Sequence, residues 1–256
     1  MKNSRASLII IVGLLLVAAL LSYGVATKMK HTAVTAEDRQ LDPQQFGIST
    51  IESTPSNKDA PLAVFIGDFT QGSGLGGVGG ENWTNLLATE IRKTMPLRIA
   101  VDNQGEGSGY VIRGPSPLFS DEVRSLVNAD TKLVVISGSR NDVVAAPSDV
   151  NARAREVYGV IAQLAPAAQV VAIGPTWGDD PPSPEILATR DAIRDAATAS
   201  NVLFVDPLAD DWFTGGEPGL IGSDSVHPTD RGNEVMAQKL FPIFANLLGQ
   251  QGIGGG

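Results

Sequence analysis

Apolar and polar positions alternate from residue 61 onward in a pattern that predicts strands and helices in turn. Residues 62–66 form a continuous apolar run, which is typical of a strand buried on both faces of a parallel sheet. Similar runs predict four further strands, at residues 97–101, 133–136, 170–173 and 202–205.

Between these runs, apolar residues recur at helical spacing. The spacing predicts helices around residues 83–91, 123–127, 157–164, 184–199 and 235–243. Strands that alternate with helices in this way predict a three-layer α/β/α sandwich around a five-stranded parallel sheet, similar to the flavodoxin fold. In such sheets, functional sites gather at the carboxyl ends of the strands.

The N-terminal part of the chain reads differently. Residues 6–26 are almost all apolar and are flanked by lysine and arginine, and the run is long enough to span a bilayer. It also resembles a signal peptide with a weak cleavage site near Ala26, although its length favours an uncleaved anchor. We therefore expect a domain outside the cytoplasm, tethered to the cell membrane, or secreted if the segment is cleaved. The predicted organisation is an anchor or signal at residues 1–30, a polar linker at 31–60, one domain at 61–248 and a Gly-rich tail at 249–256.

The composition of the chain argues against several classes of function. The net charge is −9 and no basic run follows the N-terminus, which argues against nucleic acid as a partner. The chain has no cysteine, so disulfides and thiolate chemistry are excluded. A single histidine in the folded part and scattered carboxylates give no metal-ligand spacing, and the Gly-rich residues 72–77 lack the lysine of a phosphate-binding loop. We expect neither a metal nor a cofactor.

Polar and glycine residues follow each predicted strand. They are Gly67-Asp68, residues 103–110, residues 138–142, residues 174–177, and Asp224 with His227. Each alone is typical of a turn. Together, at successive strand ends, they indicate a site. In an Asp-x-x-His pair the carboxylate can fix the imidazole tautomer, so that the histidine accepts a proton from a hydroxyl.

This arrangement resembles the SGNH, or GDSL-type, hydrolase family over residues 61–248. Phe65-Ile66-Gly67-Asp68 looks like the first block of that family, residues 138–142 look like the third, and Asp224-x-x-His227-Pro228 looks like the fifth. The resemblance implies an esterase or acyl hydrolase with His227 as general base and Asp224 as its orienting acid. It further implies an oxyanion hole from Asn141 and the Gly107 N–H, and a pocket for a small ester, acyl or glycan ligand. The predicted pocket residues are Asp68, Phe69, Gly105, Ser139 and Trp177.

The chain departs from the family at the nucleophile. Phe69 follows Gly67-Asp68, where the family has serine. Either phenylalanine replaces the serine, or one residue is deleted and the serine is lost. The second-block loop is also one residue shorter than the family pattern, which leaves the choice between Gly105 and Gly107 open.

The nearest hydroxyls are those of Thr70 and Ser73, and a water activated by His227 is the third candidate nucleophile. Thr70 is hindered by β-branching. We therefore expect a degenerate hydrolase with weak or no serine-type ester hydrolysis. The alternative is a non-catalytic pseudoenzyme that binds an acyl or glycan ligand, or a partner, at the cell envelope.

Overall fold

A computed structural model describes residues 59–102, 107–178, 181–214 and 217–252 of the chain. The predicted five-stranded parallel sheet is confirmed, with the strand order β2-β1-β3-β4-β5. The strands are β1 (Leu62–Gly67), β2 (Arg98–Val101), β3 (Thr131–Ser137), β4 (Gln169–Ile173) and β5 (Leu203–Val205). The predicted anchor at residues 6–26 and the predicted site residue Gly105 lie outside the described residues.

Five α-helices lie between and after the strands in the described part of the chain. They are α1 (Trp83–Arg92), α2 (Phe119–Leu126), α3 (Pro147–Leu164), α4 (Pro184–Ala199) and α5 (Asp230–Gly252). The bounds of α4 agree with the sequence prediction. Helix α3 begins earlier than its apolar positions indicate, with proline in its first turn. Helix α5 continues past residue 248, so it enters the stretch that the sequence assigns to the tail.

The sheet is covered on both faces because alternate residues of each strand point to opposite sides. Val64 and Ile66 of β1 pack in the core that contains residues of α2, α3 and α4. Ala63 and Phe65 pack in the second core, formed with α1 and α5. With both faces buried, the carboxyl edge of the sheet is where polar side chains can meet a ligand.

No helix in the described ranges is both long and apolar enough to cross a membrane.

Candidate active site

Strand β1 ends in a tight turn that places Asp68 and Phe69 at the carboxyl edge of the sheet. Gly67 has a φ of 119°, and a Cβ atom there would stand 1.9 Å from the Ser137 carbonyl oxygen, so the position requires glycine. The Asp68 N–H donates to the same carbonyl at 2.7 Å. Phe69 has a φ of 62°, which is rare for a bulky residue. Contacts of the turn therefore hold Phe69 in a strained conformation at the site.

Asp68 joins this turn to the loop after β3. Its Oδ2 accepts the backbone N–H groups of Ser139 and Arg140, each at 3.1 Å. Burial raises the pKa of Asp68 to about 7, although the Arg140 N–H bond acts in the opposite direction. Ser139 is fully buried and its hydroxyl donates to Asp142, so this predicted ligand-binding residue lies behind the pocket wall.

The side-chain amide of Asn141 donates hydrogen bonds to two acceptors within the protein. Its Nδ2 donates to Asp68 Oδ1 at 3.0 Å and to the Ser108 carbonyl at 3.2 Å. Both neighbours are acceptors, which assigns the NH₂ group to this side of the amide. An amide nitrogen has two hydrogens, so these two contacts use both of them. Gly107 lies against the amide group as a whole, where a Cβ would come within 2.4 Å of Asn141 Oδ1 and 2.8 Å of its Nδ2.

Asp224 and His227 form the predicted pair. The distance from His227 Nδ1 to Asp224 Oδ2 is 2.6 Å, which confirms their expected contact. Asp224 Oδ1 also accepts the N–H groups of Val226 at 2.9 Å and of His227 at 3.0 Å. The hydrogen bond from the His227 side chain, followed by these backbone bonds, lowers the pKa of Asp224 far below its usual range. An ionised carboxylate can only accept, so Nδ1 carries the proton and Nε2 remains the basic nitrogen.

The β1 turn presents an aromatic side chain to His227. The ring centroids of Phe69 and His227 are 5.8 Å apart, and the rings meet edge to face at 82°. The Phe69 carbonyl accepts from Trp83 Nε1 at 2.9 Å and from Asn82 Nδ2 at 3.0 Å. Helix α1 therefore fixes the backbone that presents the phenyl ring to His227.

The hydroxyl of Thr70 is directed into the protein. Thr70 is buried, and its Oγ1 lies 2.5 Å from Asp102 Oδ1 and 2.9 Å from the Gly67 carbonyl. Asp102 also accepts the Gly67 N–H at 2.7 Å, and burial raises its pKa well above the usual range. The sequence pattern does not single out Asp102, although a carboxyl group directly after β2 falls at the same edge as the other site residues.

A pocket of about 430 Å³ opens at this edge of the sheet. It brings together residues from the β1 turn, the Gly-rich loop, the loop after β3 and the His227 loop. Its lining residues are Asp68, Phe69, Gln71, Gly72, Ser73, Gly107, Arg140, Asn141, Val226 and His227. Four of the predicted site residues lie outside this lining: Thr70, Ser139, Trp177 and Asp224. Asp224 contacts the lining through His227.

Trp177 lies beside the pocket and contacts one of its walls. The Arg140 guanidinium carbon stands 4.2 Å from the centroid of the Trp177 ring, a cation–π contact. Trp177 therefore supports Arg140, which is itself on the pocket surface. In the part of the chain that the structure describes, no group of three His, Asp or Glu side chains could hold a metal ion.

Comparison with known sequences shows the family. A sequence model described as the GDSL-like Lipase/Acylhydrolase family matches residues 65–235, more than half of the chain. A GDSL lipase of Mycobacterium tuberculosis is 37% identical over 194 residues, which cover 73% of this chain and 83% of that protein.

Many solved structures are similar in fold, among them the following two. A lipase/acylhydrolase from Enterococcus faecalis aligns with a TM-score of 0.53 and 17% identity, over 73% of this chain and 96% of that one. Est24, a carbohydrate acetylesterase from Sinorhizobium meliloti, aligns with a TM-score of 0.53 and 14% identity, over 73% of this chain and 99% of that one. At these identities the likeness concerns the fold alone.

Proposed function

Because the chain belongs to the GDSL-like lipase/acylhydrolase family, we propose that it is a degenerate member, with weak or no serine-type ester hydrolysis. The observation that carries the proposal is the Phe69 ring, 5.8 Å from the His227 ring. A phenyl group can neither attack a carbonyl nor give a proton to the histidine. The contact between Asp224 and His227 is what an acid and a base of this family would need, and residue 69 offers them no hydroxyl to activate.

The hydrogen bonds of Thr70 and Asn141 also support slow ester hydrolysis. The Thr70 hydroxyl is bonded inside the protein, to Asp102 and Gly67. The Nδ2 hydrogens of Asn141 are given to Asp68 and to the Ser108 carbonyl, so an oxyanion would have to displace one of these acceptors. Donors that must first break other bonds stabilise a transition state less than donors that are preorganised for it.

Ester hydrolysis by the full chain tests this proposal. With p-nitrophenyl acetate at pH 7.5, we expect turnover far below the roughly 1–10³ s⁻¹ of ordinary enzymes. His227→Ala should lower the remaining rate, because the proposed base is removed. Lys239→Ala should not, because Lys239 lies in α5 and is not a lining residue of the pocket. Ordinary turnover by the wild type would contradict the proposal.

A second candidate function is ligand binding without catalysis. The pocket of about 430 Å³ remains open although a phenyl ring faces the histidine, which favours a retained binding role. The ligand class we propose is acyl or glycan. Est24 is described as a carbohydrate acetylesterase, which is the reason to include glycans. Calorimetric titration with octanoate and with an N-acetylated chito-oligosaccharide tests this candidate, and the absence of heat with both would reject it.

We also propose that residues 6–26 remain attached as a single membrane span, with the domain on the outer side of the membrane. The uninterrupted apolar run supports this placement. Cell fractionation is the measurement: the protein should sediment with membranes and its domain should be digested by protease added to intact spheroplasts. A freely secreted form that begins near Thr27, or a soluble cytosolic form, would refute the anchor.

A further inference from the structure

We infer that Ser73, on the Gly-rich turn packed against the His227 loop, is the nucleophile of the residual ester hydrolysis. The inference deepens the proposed function and rests on it, since it concerns how a chain without the family serine could still cleave an ester. It uses the same base and the same pocket.

The turn that carries Ser73 is closed by two backbone hydrogen bonds between Ser73 and Gly76. The Ser73 N–H donates to the Gly76 carbonyl at 2.9 Å, and the Gly76 N–H donates back to the Ser73 carbonyl at 3.2 Å. The Leu75 N–H also donates to Ser73 Oγ, at 3.1 Å. These bonds place the serine at a defined position rather than on an open stretch of loop.

The same turn is packed against the segment that bears the catalytic pair. The Gly77 N–H donates to Asp230 Oδ1 at 2.8 Å. A Cβ on Gly76 would come within 2.4 Å of the Asp230 nitrogen, and one on Gly222 within 2.7 Å of Leu75 Cδ1. These contacts lie on both sides of His227 in the sequence, so the turn that carries Ser73 and the loop that carries His227 are packed together. Both side chains belong to residues that line the same pocket.

Ser73 also has the proton that a nucleophile must lose. The described bond from Leu75 to Ser73 Oγ uses an oxygen lone pair and leaves the hydroxyl hydrogen to be donated. Thr70 differs, because its hydroxyl contacts Asp102 and Gly67 inside the protein. Of these two hydroxyls, that of Ser73 is the one that belongs to the pocket.

The chemistry follows the acyl-transfer scheme with the serine moved along the chain. Ser73 Oγ forms a bond to the ester carbonyl carbon while its proton passes to His227 Nε2. The tetrahedral adduct then breaks its bond to the alcohol oxygen, which takes that proton and leaves. Water attacks the acyl-serine with His227 as base, and release of the carboxylic acid restores the hydroxyl. Since Asn141 is bonded to Asp68 and Ser108, the oxyanion is poorly stabilised and the rate is low.

A single engineered thiol tests the juxtaposition independently of activity. The chain has no cysteine, so Ser73→Cys introduces one unique thiol. An imidazole within reach of a thiol favours the thiolate, so the inference predicts a pKa at residue 73 at least about one unit below the ordinary value near 8.5. The pH dependence of iodoacetamide alkylation measures it. The shift should disappear in Ser73→Cys/His227→Ala, and the matched control Ser200→Cys, at the end of α4, should show no dependence on His227.

Activity and labelling give the second readout. Ser73→Ala should lower p-nitrophenyl acetate hydrolysis to the level of His227→Ala, and a fluorophosphonate probe should modify residue 73 in the wild type. Any of three results would overturn the inference: a thiol that titrates like the control, an unchanged rate in Ser73→Ala, or no labelling at residue 73. The proposal of slow hydrolysis would not be affected by them. If the wild type turns over at an ordinary rate and Ser73→Ala abolishes it, the proposed degenerate function is rejected, whereas Ser73 is supported as the nucleophile.

Discussion

Phe69→Ser is expected to raise the rate of ester hydrolysis by at least about 10²-fold, the low end of what a positioned general base contributes. The substitution puts a hydroxyl on the β1 turn where the phenyl ring now meets His227. His227, the proposed base, already contacts Asp224, at 2.6 Å from Nδ1 to the carboxylate. Steady-state hydrolysis of p-nitrophenyl acetate measures the gain, and a Ser73→Ala background assigns it to residue 69.

Phe69→Ala is the matched control, because it opens the same space without supplying a nucleophile. Any gain that it shares with Phe69→Ser comes from access to the pocket and not from the new hydroxyl. His227→Ala added to Phe69→Ser should remove the gain. The rate should still stay below that of an ordinary esterase, because Asn141 must release Asp68 or Ser108 before it can donate to an oxyanion.

The one-residue deletion makes the opposite prediction. If the family serine is deleted, insertion of serine between Asp68 and Phe69 should restore activity and Phe69→Ser should not. The contacts of the turn favour the other interpretation, in which Phe69 replaces the family serine. An insertion would have to move the Phe69 carbonyl from Trp83 Nε1 or the Thr70 hydroxyl from Asp102, which lie at 2.9 Å and 2.5 Å. Higher activity in the insertion variant than in Phe69→Ser would establish the deletion.

Local pattern predicts the sheet well and the helix ends less well. The apolar run at residues 62–66 marks β1 because burial on both faces demands it, and the structure extends the strand by only Gly67. The first turns of α3 are mostly polar and exposed, and only Val150 and Ala154 are buried there, so hydrophobic spacing marks them weakly and the start is set by Pro147. The last turns of α5 include Gly249, whose weak helix propensity conceals the continuation.

The candidate site was predictable where it depends on short sequence distances. Asp224 and His227 are three residues apart, and their contact follows from the pattern. The direction of the Thr70 hydroxyl depends on Asp102, which comes from another strand. The position of Trp177 depends on Arg140, which comes from another loop. Such pairings are fixed by the packing of separate elements, and neither residue type nor spacing reports them.

The structural role of Asp142 cannot be predicted from sequence spacing, because its neighbours in the sequence indicate only a turn. It is fully buried, and its carboxylate accepts the backbone N–H groups of three consecutive residues from another loop, at 2.7–3.0 Å. These residues are Tyr110, Val111 and Ile112. The Ser139 hydroxyl is a fourth donor. Asp142 therefore holds the segment that follows Gly107 and Ser108 against the loop after β3.

Asp142→Asn is accordingly expected to lower the free energy of unfolding by about 3 kcal/mol or more, since each hydrogen bond to a charged group contributes about 1.5–3 kcal/mol. An asparagine would turn an NH₂ group toward backbone N–H donors and leave buried donors unpaired. Urea denaturation followed by circular dichroism at pH 7 measures the change. Asp149→Asn, an exposed carboxylate in the first turn of α3, is the matched control and should cost no more than about 1 kcal/mol. Equal losses in the two variants would show that Asp142 does not anchor the loop, and the wall of the pocket beside Gly107 would then need another support.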